Sequence, residues 1–182
     1  RPCVGDFGLL APLYAHLGRD PHPARLMQQR ATRVYRWVER MNRADQDVPE
    51  YFSAGTGFLA DDCVPDSLIA VLKLIAEDFV PETRAAAEVI NEWLLENKPE
   101  PGLAAERMLG MASFDVRGQA LSAVAQTYRF YLLQRVQDAY AAFTAEQQQQ
   151  VDAMLNACNM NDLLSIKLDR RLGRSDNLEV WE

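Results

Sequence analysis

Apolar residues recur three or four positions apart at the start of the chain, at Phe7, Leu10, Tyr14 and Leu17. This spacing predicts a helix from Val4 to Leu17. Gly18 and then Pro21 predict that the helix ends there, because glycine favours a helix C-terminus and proline cannot continue one. A second helix is predicted from about Ala24 to Arg43, where the apolar positions again keep helical spacing.

The middle of the chain first loses this periodicity and then regains it. Residues 44–64 collect proline and glycine and predict a connector of about twenty residues. Pro65 is placed as a first-turn residue of the next helix. Pro81 predicts that this helix stops and that another begins, which ends before Pro99.

Residues 110–118 follow a different pattern. Ala112, Phe114 and Val116 alternate with polar residues, and this period of two predicts extended chain. A lone strand leaves its backbone groups without partners, so a second strand is required. The other alternating segment is 178–180, and the hypothesis is that the two segments pair as a short ribbon.

The last third of the chain again predicts helices. One is expected from about Gln119 to Phe143, and Thr144 with Gln147 matches the capping box of the next. A final helical segment is expected to end near Gly173. Together the patterns predict an all-α fold of six or seven helices with at most one short two-stranded ribbon.

Composition narrows the classes of function. The 182 residues carry 26 acidic and 19 basic side chains, a net charge of −7, which disfavours nucleic-acid binding. No apolar run approaches the roughly 20 residues that span a membrane, and no secretory leader is visible. Cys3, Cys63 and Cys158 lie far apart, so we expect free thiols in a reducing, cytoplasmic compartment. The chain has only two histidines and no known metal-ligand or catalytic motif. We therefore expect no metal site and no complete catalytic site.

The first six residues hold the most specific local signal. Cys3 occupies a helix N-cap position, and Asp6 lies three residues later, where its carboxylate can accept the unpaired amides of the first turn. The run Pro-Cys-Val-Gly-Asp-Phe-Gly-Leu resembles the Ser/Thr-x-x-Asp capping box that opens the core helix of the glutathione S-transferase C-terminal domain. The segment from Arg33 to Met41, with its tryptophan, is similar to the helix that follows in that family. The match covers residues 1–42, and it departs from the family at Cys3 and at Gly5.

The resemblance implies the organisation of the chain. Residues 1–43 would be later core helices of such a domain, residues 44–64 a connector, and residues 65–182 a helical extension packed with them. In the family this Asp is a folding residue, so the resemblance assigns Cys3 and Asp6 a capping role and no catalytic one.

The resemblance also implies a function. Glutathione is bound in that family by an N-terminal thioredoxin-like domain, which this chain is expected to lack. The helical part would supply a pocket for the electrophile and a homodimer surface. Glutathione would then be a cosubstrate of the parent protein, and the chain alone would bind no cofactor and catalyse nothing. The alternative is a helical binding or assembly module without chemistry.

Four further features have competing interpretations. Tyr128 and Tyr131 are candidates for a pocket that takes an apolar ligand, although aromatics at helical spacing more often belong to a core. Arg129 and Arg135, on the same predicted helix, are candidates to hold a carboxylate, with surface ion pairs as the commoner alternative. Cys3 is either a glutathione-reactive thiol or, more often, a buried or half-buried substitute for serine.

The fourth feature is a basic cluster near the C-terminus, made of Lys167, Arg170, Arg171 and Arg174. It would fit an anion-binding patch. The favoured interpretation is that these cations complement the negative end of the last helix dipole.

Overall fold

The computed structural model describes residues 4–43, 57, 59–60 and 63–182. The chain divides into two compact units, Arg1–Asp61 and Asp62–Glu182. Most of the predicted connector 44–64 lies outside the described residues, as does Cys3.

The first unit is helical in its described part. Helix α1 (Val4–Pro12) runs into a π-helical turn, Leu13–Leu17, so the predicted first helix is confirmed. The turn closes with a hydrogen bond of 2.7 Å from the Gly18 amide to the Leu13 carbonyl oxygen. A Cβ at Gly18 would stand 2.9 Å from that same oxygen, so the turn requires glycine.

The predicted second helix is wrong in one respect, because it is two helices. Helix α2 (Pro21–Arg30) begins earlier than predicted, since Pro21 takes a first-turn position where its missing N–H is no loss. Ala31 leaves the helical region at φ −134° and ψ 49°. Helix α3 (Thr32–Arg43) follows with Val38 buried.

The second unit is organised by helix α4 (Asp66–Asn97), which continues through Pro81. The predicted break at this proline is therefore wrong. The buried residues of the helix form one stripe at helical spacing that is uninterrupted by the proline: Ala76, Val80, Thr83, Ala86, Ala87, Ile90 and Leu94. Because both halves of the helix bury the same face, packing offsets the roughly 3 kcal/mol that an internal proline costs.

Two hairpins contradict the predicted strand pairing. Strand β1 (Met111–Val116) pairs with β2 (Gln119–Val124), and β3 (Leu172–Ser175) pairs with β4 (Leu178–Trp181), both antiparallel. The predicted extended segments are therefore present, but each pairs with its neighbour in the chain and not with the other.

Backbone geometry at the two turns explains the local pairing. Both residues of each two-residue loop have positive φ, at 54° and 75° for Arg117 and Gly118 and at 48° and 64° for Asp176 and Asn177. Such loops match the twist of antiparallel strands and close tight hairpins. The predicted all-α fold is therefore wrong, because two small antiparallel sheets accompany the six α-helices of the described residues.

The predicted helix from Gln119 is shorter than expected. Residues 119–124 form β2, and helix α5 (Thr127–Ala141) starts after it. Helix α6 (Ala145–Ala157) opens with the predicted capping box, which is confirmed: the Gln147 amide donates to the Thr144 hydroxyl, and the Thr144 amide donates to the Gln147 side chain. In place of the predicted last helix are a short 3₁₀ turn, Asn161–Leu164, and β3. Among the described residues no helix combines the length and apolarity that crossing a membrane requires.

The C-terminal hairpin is anchored in the core of the second unit. Trp181 is completely buried and stacks on Trp93 of α4, with ring centroids 5.9 Å apart. Its partner in the strand register, Leu172, is also buried. The hairpin is widened by the segment around Ala104, which pairs with Val180. Within the described part of the chain, the indole N–H of Trp181 has no hydrogen-bond partner.

Replacing Trp181 by alanine is expected to destabilise the second unit by about 3–5 kcal/mol, because the change empties a fully buried aromatic position. Urea unfolding measures the free energy of unfolding, and amide exchange should show lost protection across β3 and β4. Trp181→Phe keeps a ring and removes the unpaired indole N–H, so it should cost clearly less. Equal stability of Trp181→Ala and the wild type would contradict the anchoring role.

The end of α4 gives a stabilising prediction. Lys98 closes the helix in the left-handed conformation, at φ 43° and ψ 57°. Lys98→Gly removes the Cβ strain and should raise the free energy of unfolding by about 0.5–1 kcal/mol. Glu96→Gly, inside the helix two residues earlier, should lower it by about 1 kcal/mol. If both substitutions lower the free energy of unfolding measured in urea, the left-handed conformation of Lys98 does not cost stability and the prediction is refuted.

Candidate functional site

The aromatic pair on α5 is brought together as a stack. The rings of Tyr128 and Tyr131 have centroids 6.3 Å apart and an angle of 25° between their planes. Tyr131 is half-buried and packs against the core, whereas 47% of Tyr128 is exposed. Tyr131 thus belongs partly to the core, as the commoner interpretation of such aromatics expects, and Tyr128 offers a ring to the surface.

Two guanidinium groups lie over the ring of Tyr131. Arg135, one turn further along α5, stands 5.9 Å from the ring centroid, and Arg174 of β3 stands 6.0 Å from it. No carboxylate among the described residues forms an ion pair with either arginine. Together with Tyr128, these three residues form what we call the Tyr–Arg surface: Tyr128, Tyr131, Arg135 and Arg174.

Arg129 does not join this surface. Its guanidinium pairs with Glu82 and lies 5.4 Å from the ring centroid of Phe79. This arginine is therefore committed to holding α5 against α4. Of the two predicted carboxylate-binding arginines, only Arg135 remains without a carboxylate partner in the described part of the chain.

The C-terminal basic cluster is dispersed, and its assignment to a helix end is wrong because no helix ends there. The Arg170 guanidinium donates to the backbone carbonyls of Pro99 and Glu182. Arg171 forms a bidentate ion pair with Asp138, with Nη2–Oδ2 and Nη1–Oδ1 distances of 2.7 and 3.2 Å. Arg174 alone of these arginines reaches the Tyr–Arg surface, and the sequence pattern did not connect it with Tyr131.

Side-chain amides hold β3 and the segment before it in place. The Gln134 side chain donates to the Leu172 carbonyl at 2.9 Å and accepts from the Leu172 amide at 3.2 Å. Asn91 of α4 makes the same kind of double contact, with the Lys167 carbonyl and the Asp169 amide. Each side-chain amide carries a donor group and an acceptor group, so it forms the two hydrogen bonds that the backbone of a neighbouring strand would otherwise form. These contacts fix the strand from which Arg174 projects.

A small cleft of about 130 Å³ lies beside these contacts, between α5 and the segment 166–171. Its polar lining is already engaged: the Gln137 amide donates to the carbonyls of Leu163 and Ile166, and Asp138 is paired with Arg171. Because these polar groups bond to one another, we assign them a structural role and do not treat the cleft as a ligand site. The hydrogen bond from Arg171 lowers the pKa of Asp138 below its usual value of 3.8, and the charge of Lys167 adds to the effect.

The remaining described candidates are two cysteines and Asp6. Cys63 is an exposed free thiol, and Cys158 is a buried one whose sulfur lies 3.5 Å from the Leu155 carbonyl oxygen. Asp6 lies in the first turn of α1 and is half-buried. Within the described ranges, no group of three His, Cys, Asp or Glu residues could hold a metal ion.

The groups of the Tyr–Arg surface are of kinds that bind ligands. An exposed ring offers a stacking face, and two guanidiniums offer fixed hydrogen-bond donors for an anion. Comparisons with known protein families, with curated proteins and with solved structures find no match to this chain.

The Asp138–Arg171 pair makes a pH-dependent prediction. Since the folded pKa of Asp138 lies below the unfolded one, the pair contributes stability above pH 3.8, and this contribution is lost as the pH falls through the folded pKa. Asp138→Asn should therefore lower the melting temperature at pH 7, and the difference from wild type should shrink in strongly acidic buffer. Glu88→Gln removes a carboxylate with no ion-pair partner in the described part and serves as control. A melting-temperature difference that does not change with pH would refute the electrostatic explanation.

Proposed function

We propose that this chain is the helical portion of a glutathione S-transferase-like protein and that its α5 face receives the electrophile. Glutathione would be held by a thioredoxin-like domain of the same protein, which is the partner that the family resemblance implies. The chemistry would be the joining of the glutathione thiol to the electrophile, or the reduction of the electrophile by it.

The observation that carries the proposal is the stacked tyrosine pair. Electrophiles that need conjugation to a thiol are commonly flat and apolar, and such molecules are attracted to an exposed aromatic face. Tyr128 is half-exposed, and Leu132, one turn further along, is 42% exposed. The two side chains share one face of α5 and extend the apolar area beyond a single ring.

The local resemblance at the start of the chain supports the same proposal. Helix α1 begins at Val4 with Asp6 in its first turn, and α3 carries Trp37 half-buried beside the buried Val38. These are the elements in which the sequence resembles the family, and they occur in the same order.

A second candidate function is a non-catalytic assembly module. A specific observation favours it: the first turns of α4 leave an apolar face exposed, at Leu68, Val71, Leu74 and Ile75. Exposed apolar clusters of this kind commonly mark interaction surfaces. In an enzyme the same face would serve the homodimer, so the two candidates differ in chemistry and not in the use of this surface.

We include a cytoplasmic location in the proposal. Cys63 and Cys158 are both free thiols. Free thiols are typical of a reducing compartment, where glutathione is also abundant. The acidic net charge of −7 fits a protein that does not bind nucleic acid.

The test is glutathione conjugation by the natural full-length protein with a generic aromatic electrophile. We expect turnover by that protein and none by residues 1–182 alone. Tyr128→Ala in the full-length protein should raise KM for the electrophile about tenfold, the effect of losing one to two kcal/mol of stacking, with KM for glutathione unchanged.

Leu95→Ala is the matched control, because Leu95 is an exposed apolar residue of α4, 67% accessible. It should leave both KM values unchanged. Turnover by the 182-residue chain alone would refute the assignment of the chemistry to another domain. A natural protein that converts no electrophile would refute the enzyme and favour the assembly module.

A further inference from the structure

We propose that the Tyr–Arg surface is a binding site for aryl carboxylates, in which the ligand ring stacks on Tyr128 and the carboxylate is held by Arg135 and Arg174. The idea that such a ligand is the electrophile rests on the proposed function. Binding itself rests only on the geometry of the second unit.

The first argument is the charge of the surface. Four of the six other arginines of this unit pair with a carboxylate, and these are Arg84, Arg117, Arg129 and Arg171. Arg135 and Arg174 instead converge on one ring, each guanidinium about 6 Å from its centroid. In a chain with seven more acidic than basic residues, two cations that share one ring and pair with no described carboxylate form a locally basic area. A basic area of this kind attracts an anion.

The second argument is that a carboxylate was within reach and is not used. Glu179 stands opposite Arg174 in the register of β3 and β4. No ion pair joins the two side chains in the described structure, and the guanidinium lies over Tyr131 instead. The donors of Arg174 therefore remain available to an external acceptor.

The third argument is the rigidity of the site. Tyr128, Tyr131 and Arg135 are three and four residues apart on α5, so they share one face of the helix. Arg174 comes from β3, which the Gln134 side chain fastens to α5 through both backbone groups of Leu172. A site held by a helix and an anchored strand keeps its geometry before the ligand arrives, which lowers the entropic cost of binding.

The fourth argument selects the class of ligand. The two guanidiniums lie over Tyr131, so the ring left for stacking is Tyr128, whose centroid is 6.3 Å from that of Tyr131. A ligand that contacts both the Tyr128 ring and the two guanidiniums needs a flat ring and, a short distance away, an anionic group. A carboxylate matches the planar fork of a guanidinium and accepts two parallel hydrogen bonds from it. An aryl alkanoate has both features.

The test uses the 182-residue chain and two ligands of the same shape, 3-phenylpropionate and its uncharged amide. Isothermal titration calorimetry should show the carboxylate binding at least tenfold more tightly than the amide, because only the carboxylate can form charge-assisted bonds with the arginines. Acetate, which lacks the ring, should bind at least tenfold more weakly than 3-phenylpropionate. Equal affinity for the acid and the amide would overturn the proposal.

Substitutions locate the site. Arg135→Gln and Arg174→Gln should each weaken binding of 3-phenylpropionate about tenfold, and Tyr128→Ala should do the same. Arg107→Gln is the matched control, because Arg107 is an exposed arginine of the same unit that also lacks a carboxylate partner among the described residues. An equal loss in the control would show non-specific attraction and overturn the site.

The design separates this inference from the proposed function. Glutathione is absent from the titration, so carboxylate-selective binding without any conjugation by the full-length protein would refute only the enzyme. Conjugation of neutral electrophiles, together with equal affinity for acid and amide, would refute only the present inference. If Arg174→Gln alters the far-ultraviolet circular dichroism, Arg135→Gln on the surface of α5 and the comparison of ligands still decide the question.

Discussion

The second unit depends on burial of one apolar stripe along α4. This helix has 32 residues, and its buried positions keep to a single face from Ala76 to Leu94. A face of that length must be covered, since each large apolar side chain taken out of water contributes roughly 1.5–3 kcal/mol. Strand β1 packs on it through Ala112, and the C-terminal hairpin packs through Trp181 on Trp93. The same burial carries the helix through Pro81.

Polar side chains then fix the parts of this unit that are neither helix nor sheet. Segment 165–171 connects a 3₁₀ turn to β3 and has few backbone partners of its own. Asn91, Gln134 and Gln137 supply them by bonding to its carbonyls and amides or to those beside it. An unpaired buried backbone group costs about 1–3 kcal/mol, so the amides of Gln134 and Gln137 stabilise the connection where they satisfy the part-buried carbonyls of Leu172 and Ile166.

The Tyr–Arg surface is a consequence of this arrangement. Gln134 and Arg135 are neighbours on α5, and the first fastens β3 while the second faces the ring that Arg174 reaches from β3. The contact that fastens β3 and the Tyr–Arg surface thus share one turn of α5. Arg129, six residues before Arg135 on α5, pairs with Glu82 and contributes to packing. Arg174, in contrast, lies over Tyr131 although Glu179 stands opposite it in the strand register.

The sequence by itself determined the elements whose signals are local. The period of the first helix, the alternation at Ala112, Phe114 and Val116, and the capping box of Thr144 and Gln147 were all predictable, because each depends on residues within a few positions of one another. The candidate pocket residues Tyr128 and Tyr131 could also be placed on one face of a helix, since they lie three positions apart.

Only the tertiary structure decided the passage of α4 through Pro81 and the partners of the arginines, whereas the strand pairing depended on turn residues whose local signal the sequence analysis did not use. Helical spacing at Leu121, Val124 and Tyr128 favoured a helix where β2 lies, because a short strand that leads into a helix produces the same pattern. The turns at Gly118 and Asn177 then selected neighbouring strands over distant ones. Arg174 joins Tyr131 across more than forty residues of sequence. A contact of that range depends on how the hairpin packs against α5, and no local pattern in the chain encodes it.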